Sequence, residues 1–360
     1  MRKSLQFGML LCFLFIIVAC SSEKVSDVDG SDSGDSKNST ETITLLATTH
    51  TPAEDDLSLA FDAYLDEIEE RSNGQVKFER YYNGALAGGT DVIDAVTSGI
   101  ADIAVTIIPW QSGRLNLNSV TTNPGIYDNS WVAIKALNEL EKNNPELSEE
   151  LANLNLVNVA NFSGLPNYII TKNPVKTIED FKGQQLITLS PPEVTIAQEL
   201  GMTPVGMAIT DAYDAISKGV ADGITLNIGA TMDFGIAEFT KYAWKGQVGT
   251  FPGMFTMNKD VFESLPSDVQ EIILDVKENS FADLFYKISF APIYDLEEEF
   301  LKDGGTIVEP TAEDAEHLNS IIENKIWKPW IEEKNNEGLP GDILTQLKEL
   351  SQKYEKEFPY

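Results

Sequence analysis

"DVIDAVTSGIAD" (Asp91–Asp102) and "DAYDAISKGVAD" (Asp211–Asp222) are nearly the same phrase, written twice. In each copy an acidic residue opens a short run, a glycine stops it, and Ala-Asp leads into apolar residues. Asp91 and Asp211 suit helix N-termini through capping and the helix dipole. Gly99 and Gly219 suit helix C-caps. The runs that follow, "ADIAVTII" and "ADGITL", read as buried strands. Ala95, Val96 and Ile100 in the first copy, like Ala215, Ile216 and Val220 in the second, read as packing positions.

The same order extends outward from both copies. "ITLLAT" from Ile43 is an apolar strand, and Thr51-Pro52 opens a helix. Leu57, Phe61, Tyr64, Leu65 and Ile68 fall on one face of that helix, which Asn73-Gly74 closes. "QVKFERYY" is a strand leading to the first phrase. In the second half "QLITL" is a strand, Pro191-Pro192 opens a helix that stops at Gly201, and "MTPVGM" is a strand leading to the second phrase. Both halves read β-α-β-α-β. The phrases are therefore struts of two similar α/β units, and ligands in open α/β sheets bind beyond the carboxyl ends of strands.

The ends of the chain carry a different signal. Met1-Arg2-Lys3 is basic and Leu5 to Ala19 is almost wholly apolar, too short to span a membrane as a helix and suited to a signal peptide over 1–19. Ile17-Val18-Ala19-Cys20 resembles a bacterial lipobox, so Cys20 is the expected lipidation site. The only cysteines are Cys12 and Cys20, so the rest of the chain holds no disulfide. Residues 20–42 are rich in Ser, Asp and Gly, and they read as a disordered tether with a reach of roughly 25 Å. The expected location is extracytoplasmic, on the outer face of the cell membrane.

The remaining length suggests two lobes. With 57 acidic against 26 basic residues the formal net charge is −31, which argues against nucleic acid as a partner. Only His50 and His317 are histidines, and there is no HExxH, G-x-S-x-G or P-loop motif. Enzyme activity is not expected, nor is any metal or cofactor.

Five stretches, "EERSNGQVKFERYYNGALAGGTDVIDAVTSGIADIAV", "NPVKTIEDFKGQQL", "LGMTPVGMAITDAYDAISKGVADGI", "MNKDVFESLPSDVQEIILD" and "WIEEKNNEGLPGDILTQLKEL", together resemble the solute-binding subunits of tripartite ATP-independent (TRAP) transporters, the DctP-like family. The resemblance implies a type II periplasmic-binding-protein-like fold that closes around a small organic solute, most often a carboxylate. It implies delivery to two membrane subunits driven by an ion gradient. It implies lobes built from discontinuous segments, 43–163 plus about 250–290 and 164–249 plus about 291–360. It also implies a long helix bracing both lobes, which Val269 to Phe300 could supply with Pro292 kinking the run.

One departure matters. After the glycine of "DFKGQQLITL" the family usually carries an arginine that pairs with the solute carboxylate; here the matching residue is Ile187, and no arginine follows Arg114. Burying a carboxylate without a cation is costly. Either a lysine (Lys172, Lys176 or Lys182) or helix-end N–H groups compensate, or the solute is not a simple carboxylate. Arg114 is the best remaining cation. Strand ends nominate the other contacts: His50 and Thr51 after the first strand, Thr90 at the short helix, Trp110 after the strand ending Ile108, Tyr168 in "GLPNYIIT", Ser190 and Glu193 at a helix start, Asn227 after "ADGITL", and Phe251 in a crossing segment. Each is a cap or core residue on the plainer reading. Aromatic contacts suit a ring-bearing solute. An ATP-driven importer or a sensory receptor would use a similar two-lobe protein, so the partner stays open at this level.

Overall fold

The computed structural model describes residues 42–111 and 113–360. The expected signal peptide, Cys20 and nearly all of the tether lie outside them.

Eleven strands among the described residues form two sheets. They are β1 (Ile43–Thr48), β2 (Val76–Tyr81), β3 (Ile103–Ile107), β4 (Leu156–Ser163), β5 (Asn167–Thr171), β6 (Gln185–Thr188), β7 (Thr203–Gly206), β8 (Gly223–Leu226), β9 (Tyr242–Gly249), β10 (Pro252–Asn258) and β11 (Thr306–Val308). The first sheet has the order β2-β1-β3-β10-β4, and the second has the order β7-β6-β8-β5-β9-β11. In each, three parallel strands are followed by two antiparallel pairings, and in the second sheet β11 then adds a parallel pairing to β9. The fold is α/β with two lobes, as expected.

The doubled phrase does the same work in both sheets. Asp102 Oδ2 accepts the Leu46 N–H at 2.7 Å, and Asp222 Oδ2 accepts the Gln185 N–H at 2.9 Å. The backbone N–H of Asp102 reaches Leu46 O and that of Asp222 reaches Gln185 O, both at 2.8 Å. Each aspartate also offers its carbonyl to the antiparallel neighbour, through Asn258 N–H and Lys172 N–H at 2.8 Å. Gly99 and Gly219 hold φ of 76° and 74°, a left-handed turn that favours glycine. The helices run Val92–Thr97 and Ile209–Ser217, and neither Asp91 nor Asp211 makes the side-chain cap. Ile100 and Val220 are about half exposed rather than packed, because each sits on the turn between the glycine and the strand. The first long helix starts at Asp56, not at Pro52: the Asp55 side chain accepts the Leu57 N–H and sets the N-terminus.

Two connections carry the chain between sheets. β4 leads to β5 through 164–166, and β9 leads back to β10 through 250–251. Gly164 N–H donates to Phe251 O at 3.0 Å across this crossing, so the two pairs form one antiparallel ribbon. A helix from 267 to 290, with π segments at Val276–Ser280 and Tyr286–Phe290, packs on the helices Asp56–Arg71 and Ser130–Asn143. Ala291 N–H bonds back to Tyr286 O, Pro292 has no N–H to continue the ladder, and Ile293–Lys302 packs on Ile228–Asp233 and β11. This kinked helix braces both lobes. The last helix, Ile343–Glu355, packs on Ser130–Asn143, so the C-terminal end joins the first sheet's side and not the second lobe. The physical reason is its apolar face: Ile343, Leu344 and Leu347 are buried in the same core cluster as Trp131, Ile134 and Leu137 of Ser130–Asn143.

The Asp102 carboxylate meets a partly buried strand amide and the Asp222 carboxylate an exposed one. Asp102→Ala should lower unfolding free energy by about 1–3 kcal/mol and Asp222→Ala by about 0.5–1.5 kcal/mol. The two sites belong to different sheets, so their effects should add. Urea denaturation of the single and double variants checks both the size and the additivity.

Candidate functional site

The carboxyl ends of β1 and β3 bring the first wall together. Thr49, His50 and Thr51 follow β1, and Ile108 to Gln111 turn sharply after β3. The His50 and Trp110 rings meet edge-on with centroids 4.7 Å apart, and Phe251 meets Trp110 edge-on at 5.5 Å. Gly89 lies against this cluster: a Cβ there would fall 2.3 Å from Trp110 Cζ3, so only glycine lets the indole lie where it does. Gln111 Nε2 holds the Gly89 carbonyl at 2.9 Å. Trp110 remains 40% exposed, an unusual state for an indole held on two sides. Burial pushes the His50 pKa down, opposed by Asp55, so the ring is neutral at neutral pH. Thr51 Oγ1 lies 2.6 Å from Ser58 Oγ, and Thr90 is exposed beside Gly89.

The second wall centres on the helix Pro191–Glu199. Ser190 Oγ accepts the Glu193 N–H, while Glu193 Oε2 accepts the N–H groups of Leu189 and Ser190 at 2.7 and 3.1 Å. Glu193 is 2% exposed and also accepts from Thr225 Oγ1 at 2.8 Å and Asn167 Nδ2 at 3.0 Å. Burial pushes its pKa up, against four lowering hydrogen bonds. Gly249 lies against it; a Cβ there would come within 2.8 Å of Glu193 Oε1.

Next to these walls is a cavity of about 490 Å³, lined by Ile108 and Pro109, by the 113–123 loop, by Ser190, Pro191 and Pro192, by Gly249 and Thr250 of the ribbon, and by the 325–334 helical stretch; His50, Trp110 and Phe251 adjoin these segments in the chain or in space but are not on its lining. Behind the ribbon, the Tyr127 hydroxyl is pushed up to about 12 by burial, with Ser163 and Thr250 beside it. Among the described residues the Ser163 and Thr250 hydroxyls meet no hydrogen-bond partner.

The other nominated residues lie elsewhere. Asn227 Oδ1 accepts the Ala230 N–H at 2.8 Å and caps Ile228–Asp233. Tyr168 alternates to the opposite face of β5 from Asn167. It lines a separate cavity of about 370 Å³, where Lys245 lies 5.8 Å from its ring. Arg114 forms a bidentate pair with Asp94 at 2.7 and 2.9 Å on the exposed surface, not in the cleft. Ile187 is fully buried among Ala212, Ile216, Ile224 and Leu226. Of the lysines, Lys172 sits 3.3 Å from Ile216 O, Lys182 pairs with Glu179, and Lys176 is exposed.

Sequence reading missed Gly89, Asn167, Thr225, Thr250 and the helix around Trp330. The glycine pair at 88–89 and "IWKPW" (326–330) were the available signals. The polar residues carry no local signal, since only the tertiary fold sets them beside Glu193 or the cavity.

A two-lobe fold with a cleft at strand ends is the architecture of a solute-binding protein. The chain belongs to the family described as bacterial extracellular solute-binding protein, family 7, which matches residues 47–333. An uncharacterised protein, YiiZ of Salmonella typhimurium, is 23% identical over 58% of this chain and 64% of its own length. The match thus spans a little under two thirds of this curated relative. A TRAP periplasmic solute-binding protein from Desulfovibrio salexigens, solved as an open complex, shares the fold with TM-score 0.80 at 24% identity, over 88% of this chain and 98% of its own. A marine-metagenome TRAP solute-binding protein specific for aromatic acid ligands, solved with 3-hydroxybenzoate, has TM-score 0.74 at 26% identity over 87% and 99%.

Because the Glu193 pKa is raised in the folded state, the native protein binds the proton more tightly than the unfolded chain. Its contribution is present below the ordinary value near 4.5 and is lost as pH rises through the folded value. The stability advantage of wild type over Glu193→Gln should therefore shrink as pH rises above about 4.5. Urea titrations across that window test this; a flat difference would show an unperturbed carboxylate.

Proposed function

We propose that this protein captures a small organic solute outside the cytoplasm and delivers it to the membrane subunits of a TRAP-type secondary transporter. The observation that carries this reading is the joined pair of sheets with a cavity between their strand ends, in a chain of the solute-binding family. Cys20 would hold it at the outer membrane face by a lipid, and binding without turnover is its whole activity. The two lobes are the halves around each sheet, 43–163 with about 250–290 and 164–249 with the segment after 291, except for the returning helix Ile343–Glu355.

The His50–Trp110–Phe251 cluster serves as a platform for the solute's apolar face, and a ring suits it best. The marine-metagenome neighbour's aromatic ligands support that reading of the platform. Thr51, Thr90, Ser190 and Glu193 shape the walls, while Asn227, Tyr168 and Arg114 act in capping, in a separate cavity and in surface pairing.

Two measurements test this. Solute uptake by cells expressing the protein with its membrane partners should collapse when the sodium gradient is dissipated and persist when ATP is depleted; the reverse result points to an ATP-driven importer. Trp110→Ala should weaken solute affinity by roughly tenfold or more with little change in melting temperature, since its ring is partly exposed. Unchanged affinity would make Trp110 a packing residue only.

A further inference from the structure

The cavity of about 370 Å³ on the Tyr168 face of β5 shares no lining residue with the cavity at the strand ends. Its walls come from three parts of the fold. Tyr168 of β5 and Lys245 of β9 supply one side, and Phe290 and Ile293 flank the Pro292 kink on another. Phe358, beyond the last helix, supplies the third. Tyr168, Phe290 and Ile293 are all buried, so the floor is apolar and largely aromatic.

The charges around that floor are mainly acidic. The lining carries Asp128, Glu297 and Glu309 against one ammonium, Lys245. Lys245 Nζ lies 3.0 Å from Glu297 and 3.4 Å from Glu309, and 5.8 Å from the centre of the Tyr168 ring. Two carboxylates and an aromatic face thus already hold a primary ammonium here, the surroundings that attract a cation. Burial, and then the fields of Glu297, Glu309 and Asp128, push the Tyr168 hydroxyl pKa well up, so the three carboxylates act on one buried phenol.

Lys245 engages two of the three carboxylates and leaves the third. Asp128 is exposed at the mouth and has no ion pair among the described residues. An organic cation fits what remains: its apolar body meets the aromatic floor, and its charge meets Asp128 and the acidic rim. An anion would meet three carboxylates for one lysine that two of them already share.

We infer that this cavity is a second binding site, separate from the solute cleft, for a small organic amine with an aromatic or other apolar body. The test is calorimetric titration of the full chain with benzylamine, and with benzyl alcohol as its uncharged counterpart. Benzylamine should bind, and Asp128→Asn should weaken it by roughly threefold or more while leaving benzyl alcohol unchanged. Lys245→Met removes the resident ammonium and frees Glu297, so it should strengthen benzylamine binding by about threefold or more. Trp110→Ala should leave benzylamine binding as it is. Melting curves of each variant separate a lost contact from a lost fold, and Asp128, being exposed, should leave the melting temperature unchanged. No benzylamine binding, binding indifferent to Asp128→Asn, or binding weakened by Lys245→Met in a folded protein overturns the inference. Loss of benzylamine binding in Trp110→Ala would place the amine in the solute cleft and overturn it as well. The transport reading is judged separately by the uptake test.

Discussion

One backbone hydrogen bond, Gly164 N–H to Phe251 O, sits where the chain passes twice between the sheets. Around it β4 pairs with β10 in one lobe and β5 with β9 in the other, so each lobe takes its antiparallel pair from a ribbon that continues into its neighbour. Neither sheet can be completed without the other. The same crossing places Phe251 against Trp110 and puts Gly249 and Thr250 on the cavity floor. The site is thus a by-product of how the two sheets exchange strands.

Within each sheet the parallel strands are held by one repeated device. Asp102 and Asp222 each bind both backbone groups of one residue of the neighbouring strand, Leu46 within β1 and Gln185 at the start of β6, and feed their carbonyl to the antiparallel side. The side chain and backbone N–H hold one parallel neighbour while the carbonyl holds the antiparallel one, so a single residue sets register against two strands. The strand ends then emerge at a defined height, which sets where His50, Trp110 and Ser190 can reach.

The chemistry of the cleft follows from which groups are already occupied. Arg71, Arg80 and Arg114 are each paired with carboxylates at the surface. Glu193 accepts the Leu189 and Ser190 N–H groups, and the two prolines that open its helix carry no N–H. Ile187 packs in an apolar cluster.

By itself the sequence determined the two β-α-β-α-β units, the kink at Pro292 and the absence of an arginine after Arg114, because apolar periodicity, glycine stops and proline act within a few residues of themselves. Fold class was legible for the same reason. Only the tertiary structure decided which candidate residues share a site. His50, Trp110 and Phe251 come together from positions far apart in the chain, while Asn227 turns its side chain to the next helix and Tyr168 faces away from its neighbour Asn167. The strand exchange and the packing of Ile343–Glu355 on Ser130–Asn143 were equally hidden. Each depends on pairings between distant segments, and no local pattern records which partner a hydrogen bond or an apolar face will find.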